Sequence, residues 1–212
     1  MRSVRRPVRF RGDCLRRWRT VKKDIIIVGV GGQGILLTSR ILGYLALRMG
    51  DDVKVSEVHG MSQRGGSVIT HVRIGQDIQS PLITPGEADL VISFEWLEAL
   101  RAEYYLKKDG ILVTNTRRML PMPVITGQAE YPDAQITGRK VYALDAQKIA
   151  EECGSVRAVN IVLLGVVSCL TEWPAETYEE AVAANVKKAT LETNIAAFRA
   201  GRKLFAFPAG NK

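Results

Sequence analysis

The stretch Asp24-Ile-Ile-Ile-Val-Gly-Val-Gly-Gly-Gln-Gly34 decides the fold. Its β-branched run is typical of a strand that is buried on both faces of a parallel sheet. The glycines then predict a sharp turn, followed by a helix over about 33–49 that ends at Gly50. A second strand is predicted over 53–56, so the chain opens as β-α-β, the sign of a doubly wound sheet. The predicted buried stripe of the helix is Ile35, Leu42, Ala46 and Met49.

The rest of the chain continues the same pattern of strands and helices. Residues 67–74 alternate as a strand does; this strand can be antiparallel and is predicted to form a hairpin with residues 76–83 through Gly75-Gln76-Asp77. Residues 119–132 are irregular. Further strands are predicted over 88–93, 111–115 and 141–144. Helices are predicted over 95–106, 145–153, 160–170, 177–185 and 187–205. Lys107, Lys108 and Gly110 are expected to close the first of these helices, Asp145 to cap the second, and Leu191, Ile195 and Phe198 to form the buried stripe of the last. We therefore expect one α/β domain over 22–212, a three-layer, mostly parallel doubly wound sheet with a helical C-terminal region.

Charge is concentrated at the start of the chain. Residues 1–23 hold ten Lys/Arg and one Asp, a net charge of +9, so a whole-chain charge of +8 leaves −1 for the remainder. A nearly neutral body gives no electrostatic case for binding nucleic acid. We interpret residues 1–21 as a basic, disordered leader, or as the product of a misassigned start; a nucleic-acid contact through this leader is the alternative.

The cysteines and the apolar runs limit the class of protein. Cys14, Cys153 and Cys169 lie far apart and form no C-x-x-C pair, which argues against a disulfide framework, a zinc ribbon or an iron–sulfur cluster held by this chain. No apolar run approaches the roughly 18 residues that a membrane-spanning helix needs. We expect a cytoplasmic protein without a metal site or a membrane segment.

The glycine turn has two open interpretations. Gly29-x-Gly31-x-x-Gly34 satisfies the dinucleotide fingerprint between a strand and a helix, where amide N–H groups can receive an anion. Glu57 lies 23 residues beyond Gly34, where a Rossmann acid would hold a ribose hydroxyl. The turn is therefore either a nicotinamide or flavin site, or a packing turn without a ligand. Gln33 could itself contact a ligand or a partner.

The loop from Glu57 to Ser67 is the densest polar run in the body. Arg64, followed by Gly65-Gly66, suits a carboxylate or a phosphate. His59 could form an acid–base pair with Glu57, or it could only order the loop through hydrogen bonds. A second histidine, His71, lies within a predicted strand and is interpreted as structural, whereas Asn115 is either a candidate residue at the sheet edge or part of a simple turn.

These motifs together carry a resemblance to a known family. The chain resembles the gamma-type domain of 2-oxoacid:ferredoxin oxidoreductases in four features. They are the strand, Gly-Val-Gly-Gly-Gln-Gly and helix; the run Ser56-Glu-Val-His-Gly-Met-Ser-Gln-Arg-Gly-Gly-Ser-Val68; Ser80-Pro-Leu-Ile83; and Asn194-x-x-x-Phe198-x-x-Gly201. Within that family the run from Glu57 to Gly66 looks most like the beta subunits of the indolepyruvate-type members. The resemblance extends from about Lys22 to the C-terminus.

The resemblance implies a reaction and a division of labour. An aryl pyruvate and coenzyme A would give an acyl-CoA, carbon dioxide and reduced ferredoxin. Thiamine diphosphate and the iron–sulfur clusters would belong to a large alpha subunit, so this chain would hold no cofactor alone and would be inactive alone. Indolepyruvate is favoured, with phenylpyruvate or another 2-oxoacid open. The alternatives are a gamma subunit for another 2-oxoacid, or a free-standing NAD(P)- or flavin-dependent reductase.

The candidate site combines the turn with the loop. We expect His59 and Arg64 to act in catalysis, and Arg64, Gly65 and Gly66 to form an anion-receiving edge that faces the partner's thiamine centre or its CoA entry. The candidate cofactor-binding residues, which shape the turn or fix the loop, are Gly29, Gly31, Gly32, Gln33, Gly34, Glu57, Ser62, Gln63, Gly65, Gly66 and Ser67. The expected partners are the large alpha subunit and, through the complex, ferredoxin.

Overall fold

The computed structural model describes residues 22–60 and 66–206. The strands are β1 (Lys23–Val30), β2 (Asp52–His59), β3 (Ser67–Gly75), β4 (Ala88–Ser93), β5 (Leu106–Asn115) and β6 (Lys140–Leu144). The α-helices are α1 (Ile35–Arg48), α2 (Trp96–Ala102), α3 (Met122–Ile125), α4 (Ala146–Glu152), α5 (Val159–Ser168), α6 (Ala175–Asn185) and α7 (Leu191–Ala206). The predicted leader, residues 1–21, lies outside the described residues. Among the helices of the described residues, none is long and apolar enough to cross a membrane.

The strands form one mixed sheet in the order β2-β3-β1-β4-β5-β6. The pairs β1–β4, β4–β5 and β5–β6 are parallel, whereas β3 is antiparallel to both β1 and β2. β1 and β2 run in the same direction, as the β-α-β pattern predicts, but they are not neighbours. β3 returns between them and pairs with each over eight positions, and this insertion is the sheet's one departure from a parallel arrangement.

Helices cover both faces of the sheet, which confirms the predicted three-layer α/β architecture. The side chains of β1 alternate between two apolar cores, with Ile25 and Ile27 in one and Ile26 and Val28 in the other. The first core also takes in α1, α5, α6 and α7, and the second takes in α2. α5 is buried along its length, as its nearly continuous apolar sequence predicts.

Several predicted details differ from the structure, among them α3 (Met122–Ile125), which lies within residues 119–132, a stretch predicted to be irregular. Residues 76–83 form no strand with β3, because β1 and β2 already occupy both of its edges. The helix predicted over 95–106 ends at Ala102, and Lys107 and Lys108 belong to β5, because Leu106 pairs with Ala88 and enters the second core. Met49 is exposed, since α1 ends at its position.

The helices α5 and α7, which both line the first core, pack with their backbones in direct contact. A Cβ on Gly201 of α7 would overlap Val162 O of α5, and a Cβ on Gly165 of α5 would overlap Phe198 O. Phe198 is buried and stacks on Tyr178 at 5.7 Å between ring centroids, whereas Leu191 and Ile195 are only half-buried. The Phe198-x-x-Gly201 part of the C-terminal motif is therefore a packing device.

A buried ion pair holds β1, β3 and the following loop together. Arg73 donates to both carboxylate oxygens of Asp24, at 2.8 and 3.1 Å, and to Leu82 O at 2.8 Å. His71, on the same face of β3, accepts the Ile83 N–H at Nδ1 at 3.1 Å and packs edge-on against Tyr105. His71 thus has the structural role that its position within a strand predicts.

Gly201→Ala should destabilise the fold by about 3 kcal/mol, because a rigid backbone oxygen occupies the space that the new methyl group needs. The free energy of unfolding from urea denaturation measures the loss. Gly43→Ala in α1 is the matched control, since its nearest contact would be Val53 Cγ1 at 3.9 Å and alanine favours a helix. Equal stabilities of the two variants would contradict the close packing of α5 on α7.

His71 should make the fold acid-sensitive. Burial, and then the charge of Arg73, lowers the pKa of His71 from its ordinary value of 6.5, so the unfolded chain binds this proton at a higher pH than the folded chain. Stability is therefore full above about pH 6.5 and falls as the pH drops below it, by at most about 1.4 kcal/mol per pH unit. Unfolding free energies at pH 7.5 and 5.5 should differ less for His71→Gln than for the wild type; an identical difference would refute this role.

Candidate functional site

Gln33 closes the glycine turn from inside. Its Oε1 accepts the Val30 N–H at 2.7 Å, and its Nε2 donates to Phe94 O at 3.4 Å and to the Met119 sulfur at 3.3 Å. A Cβ at position 29 would lie 2.6 Å from Gln33 Oε1 and 3.2 Å from Phe94 Cβ, so any larger residue would push Gln33 from its place in the turn. The first glycine of the fingerprint thus makes room for the chain's own side chain.

Three backbone amides at the turn are paired within the chain. Besides the Val30 N–H, Gly31 N–H donates to Gly66 O at 3.0 Å, and Gln33 N–H donates to Val30 O at 3.2 Å. A pyrophosphate at a Rossmann turn needs such N–H groups for itself. A pyrophosphate bound through these three amides would have to displace hydrogen bonds that the turn already makes.

Asn160 supports the turn from below. It is buried at the start of α5, and its Nδ2 donates to Gly34 O at 3.3 Å. Gly34 has a left-handed φ of 89°, and a Cβ there would lie 2.7 Å from Asn160 Nδ2. Gly34 is thus fixed by both conformation and space. Sequence reasoning placed Asn160 in the buried helix, where a polar residue within an apolar run was the only signal for it.

A cleft of about 460 Å³ opens between the turn and the end of β2. Glu57 and His59 are two of its lining residues, and alternate positions of a strand point to the same side. Glu57 Oε2 accepts from Thr70 Oγ1 at 3.4 Å, and His59 Nδ1 lies 3.0 Å from Gly60 O. Because a carbonyl oxygen only accepts, this contact is a hydrogen bond in the tautomer that carries a proton on Nδ1. The remaining lining residues are Gly31, Gly32, Gly34, Ile35, Leu36 and Val68.

The far end of the predicted loop is fixed beside the same turn. Gly66 O accepts from Gly31 N–H, and the Ser67 hydroxyl donates to Oε2 of the buried Glu98. The structure therefore brings Gly31, Gly32, Gly34, Glu57 and His59 to one cleft, with Gly66 and Ser67 anchored at its border. Five further residues of the loop lie outside the described residues: Met61, Ser62, Gln63, Arg64 and Gly65.

A buried glutamate, Glu95, organises the neighbouring strand end. Its Oε1 accepts from Met119 N–H at 2.9 Å and from the Tyr131 hydroxyl at 2.7 Å, and its Oε2 accepts from Glu98 N–H at 3.0 Å as the N-cap of α2. Burial, and then the hydrogen bond to this carboxylate, raises the pKa of Tyr131. Sequence reasoning did not single out Glu95, although an acid between a buried strand and a helix was a signal for a cap.

Asn115 is a cross-link rather than a simple turn residue. It is buried at the end of β5, where its Nδ2 donates to Phe94 O at 3.3 Å and its Oδ1 accepts from Ala146 N–H at 3.1 Å. Phe94 O thus receives hydrogen bonds from both Asn115 and Gln33. The crevice between the ends of β1 and β4, where open α/β sheets usually bind ligands, is in this way occupied by the chain's own side chains.

Comparison with known proteins gives a consistent family. Residues 24–204 match the sequence profile of the family described as pyruvate ferredoxin/flavodoxin oxidoreductase. The indolepyruvate oxidoreductase subunit IorB of Thermococcus kodakarensis is 43% identical over 190 residues, which is 85% of this chain and 94% of that protein. The 2-oxoglutarate synthase subunit KorC of Methanothermobacter thermautotrophicus is 30% identical, over 87% of this chain and 95% of that protein.

Solved structures share the fold. The gamma subunit of a keto/oxoacid ferredoxin oxidoreductase from Geobacter sulfurreducens aligns with a TM-score of 0.67 and 25% identity, over 87% of this chain and 99% of that chain. The 2-oxoglutarate:ferredoxin oxidoreductase of Magnetococcus marinus aligns with a TM-score of 0.69 and 21% identity, over 90% of this chain and 32% of that much longer chain.

Gln33→Leu should destabilise the protein by about 1–3 kcal/mol, because it keeps the side chain's bulk but leaves the Val30 N–H and Phe94 O without this partner. Chemical denaturation gives the free energy of unfolding. Gln79→Leu, at an exposed glutamine, is the matched control and should change it by less than about 0.5 kcal/mol. If both variants are equally stable, Gln33 does not support the turn.

Proposed function

This chain belongs to the pyruvate ferredoxin/flavodoxin oxidoreductase family, and from that premise we propose that it is the beta subunit of an indolepyruvate ferredoxin oxidoreductase. The observation that carries the proposal is the ranking of its relatives. IorB subunits from four organisms are 35–43% identical to it, whereas KorC and PorC subunits are 27–30% identical over similar lengths. A gamma subunit for another 2-oxoacid is thus the less supported alternative.

The reaction we propose is the oxidative decarboxylation of an aryl 2-oxoacid. The bond between the carboxylate and the keto carbon breaks and releases carbon dioxide. The thiol of coenzyme A loses its proton to solvent as its sulfur bonds to the acyl carbon, and the two electrons pass to oxidised ferredoxin. Thiamine diphosphate would supply the carbanion chemistry, and iron–sulfur clusters would carry the electrons, both on the large alpha subunit. This chain on its own would be inactive. The electron acceptor and the solution compartment, the cytoplasm, are part of the same proposal.

The long chain of the Magnetococcus structure supports a large partner. There, the fold of this chain is about a third of one polypeptide, so the same unit is joined to further domains. A separate chain with this fold would meet its counterpart domains through a protein–protein interface. The paired amides of the glycine turn also favour a subunit over the free-standing dinucleotide reductase, because they leave less for a pyrophosphate to bind.

The role that we propose for the candidate site is an anion-receiving rim. Arg64, Gly65 and Gly66 would face the partner's thiamine centre or its CoA entry, and His59, Ser62 and Gln63 would fix the loop. The Gly31–Gly66 hydrogen bond and the cleft that holds Glu57 and His59 support this, since they put the loop's two ends beside the start of α1. We also propose that residues 22–212 form the family domain and that residues 1–21 are a leader outside it.

Arg64→Ala should assemble with the large subunit as the wild type does, but lower indolepyruvate-dependent ferredoxin reduction about tenfold or more, because a charge-assisted contact to an anion is lost. The measurement is kcat/KM of the reconstituted complex, with CoA and indolepyruvate varied in turn. Arg40→Ala, at an exposed arginine of α1, is the control. Full activity of Arg64→Ala would refute the proposed rim, and a wild-type complex that reduces ferredoxin only with another 2-oxoacid would refute the substrate.

A further inference from the structure

A short projection of apolar side chains stands beside the candidate site. We call Leu120–Ile125, which includes α3, the apolar knuckle. Leu120, Met122 and Ile125 are 54%, 66% and 61% exposed, an unusual state for three large apolar side chains within six residues. The described part of the chain thus leaves these side chains facing outward.

The knuckle lies in a stretch without charge. Residues 119–129 contain no Asp, Glu, Lys or Arg, although a quarter of the whole chain is charged. Solvent-facing segments are normally rich in charged residues, whereas the cores of protein interfaces are depleted of Asp, Glu and Lys and enriched in methionine and aromatic residues. Exposure combined with the absence of charge indicates a surface that meets another apolar surface.

The segment is held in place before any partner arrives. One oxygen of the buried Glu95 accepts hydrogen bonds from both ends of residues 119–131, the segment that contains the knuckle. The donors are Met119 N–H at 2.9 Å and the Tyr131 hydroxyl at 2.7 Å. Inside the segment, Gln128 and Ala129 N–H both donate to Pro123 O, at 2.8 and 3.0 Å. A preorganised surface loses little conformational entropy on binding, so a small apolar knuckle can contribute a large share of the affinity.

The knuckle is continuous with the candidate site. Met119, which precedes it, accepts a hydrogen bond from Gln33 of the glycine turn at 3.3 Å. On the other side of the turn, Leu36 is also half exposed and lines the cleft with Glu57. A protein seated on the knuckle would therefore lie close to the glycine turn, at the point where Met119 meets Gln33.

We propose that the apolar knuckle is a principal docking point for the large subunit, where it enters an uncharged, apolar recess of that chain. This inference rests on the proposed function, which gives the chain a large partner whose reactive centre faces the same turn. A second copy of this chain, packed knuckle against knuckle, is the competing occupant, and the test below treats it as an outcome that would overturn the proposal.

The test is the double variant Met122→Asp/Ile125→Asp in the full-length chain, purified and mixed with the separately purified large subunit. Both side chains are exposed, so the variant should keep the wild-type melting temperature. The dissociation constant, measured by biolayer interferometry, should rise about 30-fold or more, because two charges would be buried in an apolar recess. Leu47→Asp is the matched control, 65% exposed on the last turn of α1, at the opposite end of that helix from the glycine turn.

The outcomes separate the two proposals. Wild-type affinity of the double variant, or equal losses for the double variant and Leu47→Asp, overturns the docking role of the knuckle. The wild-type chain could instead dimerise alone, and the double variant could break that dimer but not the complex with the large subunit. This result would assign the knuckle to self-association and would also overturn its docking role. Tight binding of wild type without oxidation of indolepyruvate refutes only the proposed function, whereas absence of binding refutes both.

Discussion

β1 is buried on both faces, and this constraint fixes the positions of the other parts of the structure. Its isoleucines alternate between the two apolar cores, and its two edges pair with β3 and β4. Because the strand cannot rotate or shift without exposing one core, the glycine turn at its end has a fixed location. The described residues of the candidate site are then placed relative to that turn, through Gly66, Gln33 or the end of β2.

The turn combines a familiar sequence with an unfamiliar use. In a dinucleotide-binding domain the glycines bring the backbone to a phosphate. Here Gln33 folds into the turn and reaches Phe94, while Asn160 fills the space beneath Gly34. The crevice at the strand ends is thus closed by side chains, and the open cleft lies instead toward β2, with Glu57 and His59 in its lining. A domain of this kind is suited to presenting a surface to another chain.

Glu95 has a comparable organising role on the neighbouring strand. Its buried carboxylate caps α2 and holds both ends of the segment that carries the knuckle, so three pieces of the chain depend on one side chain. Removing the carboxylate would leave the Met119 and Glu98 amides without this partner, and unpaired buried donors are costly. The same residue therefore links the stability of the fold to the shape of the surface proposed for the partner.

The sequence by itself determined the strands and helices whose residues are apolar at regular intervals, the α/β class, the Asp145 cap and, through the motif around Glu57, the family. Tertiary structure alone decided the position of β3 between β1 and β2, the internal role of Gln33, and the clasp by Glu95 on Met119 and Tyr131. The physical reason is the separation along the chain of the residues that interact. Periodicity and capping are set by neighbours within one turn or one strand. The other partners of Gln33 and Glu95, which are Phe94, Met119 and Tyr131, lie 24 to 86 positions away from them and meet them only when the sheet has formed.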